Sequence, residues 1–280
     1  MVKFARQKRL ILAWVILIGI AASIYRIIVI KNNIEITRSD DFDYYLFDSP
    51  ATYYFAVLTA GLILLCIITA VYLGKRMNNS LVQSEPSVIF TSSLSGFLLF
   101  GAVFYYIFYF SDHKNELSPL VYGIIASAAI SAVFFLMNAS GRAESNKKAA
   151  SWLSLAPIAF FAFRLLYDFI RQSTMHNVSS APYLLLSLVA FLLFFLAEGK
   201  FRVGSGNITF YMLYGFLSVL LSLIYALPAL ALSAFWLLPT NYTMIYSAID
   251  LTIVLYIVSR VFSLNCPEAD ECSAVPAQQS

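Results

Sequence analysis

The amino-acid sequence predicts an all-α polytopic transmembrane helical bundle of about eight spans, with both termini in the cytoplasm. Three observations lead to this fold class: long apolar runs, few charges, and an uneven distribution of Lys and Arg. Of the 280 residues, 60% are hydrophobic and only 12% are charged, whereas a soluble domain has about 25% charged residues. So few charges cannot cover a water-exposed surface, but they suit a surface that faces lipid.

The apolar runs give the positions of the spans. About 20 apolar residues in an α-helix cross a bilayer core of roughly 30 Å. Backbone polar groups cannot stay unpaired in lipid, so each run is predicted to be helical. The first run is about 21 residues, longer than the usual signal-peptide core, and we expect an uncleaved span. The eight runs lie at residues 10–30, 51–74, 88–110, 118–138, 150–170, 181–197, 209–235 and 243–263.

The basic residues indicate the orientation. With the N-terminus inside, twelve Lys and Arg residues fall on cytoplasmic segments and four on outer segments. This is the positive-inside bias of membrane proteins, and an odd number of spans would spoil it. The predicted localisation is therefore a cell membrane crossed several times, with the lipid bilayer as the first partner.

The connections suggest one transmembrane domain, 1–264, followed by a short polar cytoplasmic tail, 265–280. The loop Lys31–Pro50 mixes carboxylates with aromatic residues. It is either an acidic loop that attracts a cation to the outer surface or a solvated loop with an interfacial aromatic belt. The second interpretation is favoured. Two halves, 1–140 and 150–264, are suggested because the sequence Tyr25-Arg26-Ile27-Ile28 is similar to Phe163-Arg164-Leu165-Leu166. Parallel repeats occur in transporters, but apolar helices also resemble each other by chance.

The fifth run carries the most informative residues, because Arg164 and Asp168 stand inside it. Four residues are about one helical turn, so both side chains share one face. Asp250 in the eighth run and Arg26 in the first are predicted at a similar depth, in the outer half of the bundle. A charge in hydrocarbon costs roughly 2.5–3.5 kcal/mol on insertion scales, so each needs a partner, water or a ligand.

Two interpretations of these four residues stay open. In the first, Arg26, Arg164, Asp168 and Asp250 line a cavity and bind a polar solute or relay protons. In the second, two positive and two negative charges pair between helices and hold the bundle together. Arg26 is the least certain member, since it can reach the membrane surface by snorkelling.

Other polar or helix-breaking residues in the spans have simpler expectations. Pro157, about two turns before Arg164, is expected to kink or loosen the fifth helix. Glu198, beside Lys200, is expected at the membrane interface. The run 209–235 contains Pro228, and it is either one kinked helix or a helix followed by a re-entrant piece.

Enzymatic and cofactor signatures are missing from the sequence. It contains neither a His-Glu-x-x-His motif, a Gly-x-Ser-x-Gly motif nor a phosphate-binding Gly-x4-Gly-Lys loop. Cys266 and Cys272 do not have the spacing of a zinc site. We therefore expect no enzyme activity, no catalytic residue, no cofactor and no metal. The basic residues form no stripe, so no nucleic-acid partner is expected either.

The fifth run contains Phe163-Arg164-Leu165-Leu166-Tyr167-Asp168-Phe169, a Ser-containing loop follows, and the Leu- and Phe-rich sixth run ends at Ala197-Glu198-Gly199. In these features the chain resembles a group of uncharacterised bacterial polytopic membrane proteins. The resemblance covers about a fifth of the chain and implies a bacterial cytoplasmic membrane. It implies no activity.

Two functional hypotheses follow. The first is a small-solute transporter or permease-like protein whose polar site contains Arg164, Asp168, Asp250 and Arg26, with a small polar solute or an ion as ligand. The second is a non-transporting sensor, receptor or assembly subunit, whose charges are structural or face a partner membrane protein.

Overall fold

A computed structural model of the chain describes residues 2–35, 44–45, 50–75, 85–112, 119–141, 152–173, 181–234 and 241–264. These ranges contain eight long helices, the shortest of 19 residues. The prediction of an all-α polytopic bundle is confirmed. The helices are α1 (Val2–Asn33), α2 (Pro50–Gly74), α3 (Pro86–Asp112), α4 (Pro119–Ala139), α5 (Leu155–Ser173), α6 (Ala181–Arg202), α7 (Ile208–Ala234) and α8 (Asn241–Phe262). Two short strands, β1 (Ile34–Glu35) and β2 (Tyr44–Tyr45), pair antiparallel between α1 and α2.

Seven of these helices are long and apolar enough to cross a membrane, and α5 differs from them in composition. Its 19 residues include three charges: Arg164, Asp168 and Arg171. Arg164 and Asp168 are buried, whereas Phe169 and Ile170 on the other face are exposed. Because its apolar face points outward and its charged face inward, α5 has the polarity of a helix at the edge of a bundle in lipid.

Proline residues begin several helices. Pro50, Pro86 and Pro119 are the first residues of α2, α3 and α4. The first helical N–H groups have no intrahelical acceptor, so a proline there costs nothing. Pro157, where a kinked or loosened helix was expected, lies in the first turn of α5, which begins at Leu155 after a turn at Ser154. The kink itself stays a prediction.

Six helices pack in sequence order around a closed ring: α3 on α4, α4 on α5, α5 on α6, α6 on α7, α7 on α8, and α8 back on α3. Helices α1 and α2 pack on the side of α7. In α7, 78% of the apolar window is buried, the largest fraction among the candidate spans. The buried core therefore centres on α7 and on α8, its neighbour in the ring.

Helix α7 is continuous from Ile208 to Ala234 with Pro228 inside it. This answers the question that the sequence left open, in favour of one helix. A proline removes one backbone N–H, so the carbonyl four residues earlier, that of Ile224, loses its helical donor. That carbonyl needs a donor from elsewhere in the bundle.

Several predictions lie outside the described residues. They are the polar tail 265–280 with Cys266 and Cys272, the boundary loop at 142–150, and residues 36–43 and 46–49 of the acidic loop. The division into two halves and the cytoplasmic position of both termini stay predictions.

Candidate functional site

Arg164 of α5 and Asp250 of α8 form a buried, bidentate ion pair. Nη1 donates to Oδ1 of Asp250 over 2.5 Å, and Nη2 donates to Oδ2 over 2.8 Å. The two side chains are 1% and 0% exposed. This fork-to-fork geometry is the strongest arrangement of a guanidinium with a carboxylate. The ring of Tyr246, one turn before Asp250, lies 4.1 Å from the guanidinium carbon and adds a cation–π contact.

Asp168 lies beside this pair without joining it. Its Oδ2 is 3.7 Å from Nε of Arg164, beyond hydrogen-bond distance. Neither that oxygen nor that Nε–H has a hydrogen-bond partner among the residues that the structure describes. Asp168 is only 6% exposed. A donor and an acceptor therefore face each other in a buried place, and both are unsatisfied.

We call Arg164, Asp168 and Asp250 the Arg164 cluster. It contains one positive and two negative side chains, so it carries an excess carboxylate. Arg171, one turn after Asp168, and Tyr225 of α7 both interact electrostatically with Asp168. The cluster brings together three of the four residues that the sequence grouped. The sequence did not predict which carboxylate bonds Arg164, and in the structure both Nη groups donate to Asp250.

The fourth residue, Arg26, makes a different contact. Its Nη1 donates to the carbonyl of Ile224 over 2.8 Å, the carbonyl that Pro228 deprives of its helical donor. Its guanidinium carbon lies 4.3 Å from the centre of the Tyr183 ring in α6. Arg26 is 2% exposed, so it does not snorkel. It fastens α1 to the proline-modified segment of α7.

Ser23 strengthens this attachment one turn earlier in α1. Its hydroxyl lies 2.7 Å from the carbonyl of Leu223 and 2.6 Å from that of Gly19, one turn before it in the same helix. Two neighbouring carbonyls of α7 therefore have a polar partner in α1. In a membrane, an unpaired carbonyl would cost several kcal/mol, so α1 makes the proline in α7 tolerable.

A second cluster of charges was missed by the sequence analysis. Oε1 of Glu198 in α6 accepts from Tyr256 at 2.6 Å, from Arg260 at 2.8 Å and from Arg202 at 2.9 Å. Glu198 is 0% exposed, so its carboxylate faces the interior of the bundle, and its predicted depth near the membrane interface stays a prediction. Its Oε2 accepts no hydrogen bond within the described part of the chain. Two guanidiniums nevertheless balance its charge. Glu198, Arg202, Tyr256 and Arg260 are called the Glu198 cluster below.

Sequence spacing contains a signal for this cluster. Glu198 and Arg202 are four residues apart, as are Tyr256 and Arg260. Each pair therefore lies on one face of its helix. The Arg202 guanidinium carbon also lies 4.9 Å from the Phe134 ring of α4, which turns that side chain into the bundle and away from the surface.

Helix α8 connects the two clusters. Arg260 follows Asp250 by ten residues, which is about 15 Å along a helix. Ile253 and Ile257 lie between them and are completely buried. The opposite imbalances, an extra carboxylate at one level and an extra guanidinium at the other, are thus held apart by apolar packing.

Within the described residues, no group of three or more His, Cys, Asp or Glu side chains is placed to hold a metal ion. What the Arg164 cluster offers is one donor and one acceptor for a polar group. Comparison of the chain with protein-family models, with curated proteins and with solved structures finds no match.

Proposed function

We propose that this integral membrane protein is a small-solute transporter or permease-like protein, with the Arg164 cluster as its polar site. Arg164 supplies the donor, Asp168 supplies the acceptor, and Asp250 holds the Arg164 guanidinium in place. The ligand is a small polar solute or an ion.

The observation that supports this proposal is the unsatisfied pair of Arg164 Nε–H and Asp168 Oδ2, 3.7 Å apart. A buried polar atom without a partner costs about 1–3 kcal/mol. One hydroxyl, amide or water between the two groups would accept from Arg164 and donate to Asp168. Binding such a group would therefore remove two penalties at once.

The position of the pair fits the same proposal. Ionisable residues inside membrane helices mark solute and ion pathways in many transporters. Asp168 is an extra carboxylate in its cluster, so a cation or a proton would also balance it. From the distribution of Lys and Arg, we infer that this site lies in the outer half of a bundle of eight spans, α5 included. The resemblance of the fifth and sixth runs to bacterial membrane proteins suggests that the membrane is a bacterial cytoplasmic membrane.

A second function, a non-transporting sensor, receptor or assembly subunit, is favoured by the Glu198 cluster. There, buried charges pair across α6 and α8 and place two guanidiniums against one carboxylate. Charges that serve only to join helices need no ligand. If the Arg164 cluster works in the same way, the transporter proposal fails.

A ligand screen separates the two functions. The full chain in nanodiscs is melted in the presence of polyols, amides, amino acids and monovalent cations. A ligand at about 100 times its Kd stabilises the folded protein by about 2.7 kcal/mol, which raises the melting temperature measurably. The best hit is then tested on Asp168→Asn and on the control Glu85→Gln, which alters a carboxylate at the beginning of α3.

The transporter proposal predicts that Asp168→Asn abolishes the ligand-induced rise and that Glu85→Gln keeps it. The hit should also enter proteoliposomes that contain wild-type protein, and not those that contain Asp168→Asn. A rise that Asp168→Asn leaves intact would show that the ligand binds elsewhere, and the proposed site would be rejected.

A further inference from the structure

A groove of about 480 Å³ opens where the first turn of α5 meets the last turns of α6. Its walls include Leu155, Leu196 and Val203, and all three are exposed, Val203 by 69%. Because these side chains are exposed, they lie on the outer side of the ring to which both helices belong. An acyl chain in the bilayer can therefore reach them without any movement of the helices.

The polar part of the groove is formed by Lys200 with Ser154 and Ser205. Lys200 is exposed. The neighbouring Arg202 is turned inward to Glu198 and does not line the groove. Among the described residues that line it, Lys200 is the only charged one, so the groove is cationic. Trp152, which is 75% exposed, also lines it, and Trp is enriched at the membrane interface.

We propose that this groove binds an anionic phospholipid of the surrounding bilayer. The phosphate contacts Lys200, beside the Ser205 hydroxyl, which donates to the carbonyl of Lys200 over 3.4 Å. One acyl chain follows Leu196 and Ile158 towards the middle of the membrane, while Val203 lies beyond the end of α6, on the headgroup side of Lys200. Basic pockets between transmembrane helices select anionic headgroups in this way. The inference does not depend on the proposed transport function, because none of the residues that line the groove belongs to the Arg164 cluster.

Charge is what distinguishes this occupant from bulk lipid. Any phospholipid could place its chains against the apolar walls, but Lys200 attracts a headgroup with net negative charge more strongly than a zwitterionic one. One Lys near the surface favours an anionic lipid by roughly five-fold. The groove should therefore prefer phosphatidylglycerol over phosphatidylcholine by about that factor.

Native mass spectrometry of the full chain, released from micelles that contain equal amounts of the two lipids, tests the preference. Wild-type protein should retain phosphatidylglycerol about five-fold more often. Lys200→Gln should bring the ratio close to one, and Lys200→Arg should restore it. Ser205→Trp, which fills the groove, should reduce retention of both lipids.

The matched control is Lys75→Gln. Lys75 is exposed just after α2, and it lies at the same end of the bundle, since Gly74 packs against Thr209 at the beginning of α7. It should keep the wild-type ratio. An unchanged ratio in Lys200→Gln, or an equal loss in Lys75→Gln, would overturn the proposal, because the preference would then come from general surface charge.

Discussion

The Arg164 cluster and the Glu198 cluster differ in how they treat a buried carboxylate. Glu198 has two guanidiniums within 2.9 Å of one oxygen and a tyrosine hydroxyl beside them. Asp168 has one guanidinium at 3.7 Å, and that guanidinium already holds Asp250 with both Nη groups. Both carboxylates are buried, and both clusters touch α8.

Burial of a charge therefore does not by itself indicate a binding site. In the Glu198 cluster, two guanidiniums face one carboxylate and Oε1 accepts hydrogen bonds from three side chains, although Oε2 of Glu198 and Nε of Arg202 have no hydrogen-bond partner among the described residues. Because its carboxylate is more than balanced, the simplest role of this cluster is to join α6 to α8. In the Arg164 cluster, the bidentate ion pair of Arg164 with Asp250 joins α5 to α8, and Asp168 makes no hydrogen bond to Arg164. The unused carboxylate, and not the number of charges, is what suggests a ligand.

The largest effect is expected for Glu198→Gln. This change keeps the size of the side chain and removes the negative charge between Arg202 and Arg260. Removing one partner of a buried ion pair costs about 3–5 kcal/mol, and we expect a loss of unfolding free energy near the lower end. Equilibrium unfolding of the full chain in detergent measures it, with Glu85→Gln as the control. A variant that unfolds like wild type would show that the cluster does not hold the helices.

A smaller effect is expected for Asp250→Asn, because Asp168 is near enough to replace the lost partner. The guanidinium of Arg164 would need to move by about 1 Å to bond Asp168. The loss should therefore grow by about 1–3 kcal/mol when Asp168→Asn is already present. A double-mutant cycle on unfolding free energy measures this coupling. Strictly additive losses would mean that Asp168 does not interact with Arg164.

A further effect is expected where α1 meets α7. Arg26→Met leaves the carbonyl of Ile224 without its donor, and the loss should be about 1–2 kcal/mol. Pro228→Ala supplies the missing backbone N–H. It should recover part of the stability that Arg26→Met loses. Melting temperatures of the two single variants and the double variant decide the point. If Pro228→Ala lowers the stability of Arg26→Met further, Arg26 does not act through that carbonyl.

The sequence predicted the helices well because lipid makes apolar length a direct measure of a span. The beginning of α2 differs from its predicted position by one residue and that of α7 likewise. Helix α1 extends beyond its apolar run at both ends. The hydrophobic pattern ends where the span ends, but the helix itself can continue into water.

The partners of the charges were harder to predict. The four-residue spacing placed Arg164 and Asp168 on one face, and alternating spans placed Asp250 at the same level. Spacing along one helix does not specify which neighbour lies opposite, so the sequence missed the contact of Glu198 with Arg260. The contact of Arg26 with Ile224 had a usable signal in Pro228, because a proline inside a helix frees a carbonyl at a known position.

The smallest effect on stability, and the most direct test of the contrast between the two clusters, concerns Asp168→Asn without ligand. Its unfolding free energy should lie within about 0.5 kcal/mol of wild type or above it, because Asp168 makes no hydrogen bond to Arg164, 3.7 Å away, and its burial costs desolvation. Measured beside Glu198→Gln in the same nanodiscs, it should melt like wild type while Glu198→Gln melts much lower. If Asp168→Asn loses as much stability as Glu198→Gln, Asp168 is a structural partner of Arg164, and the Arg164 cluster is not a binding site.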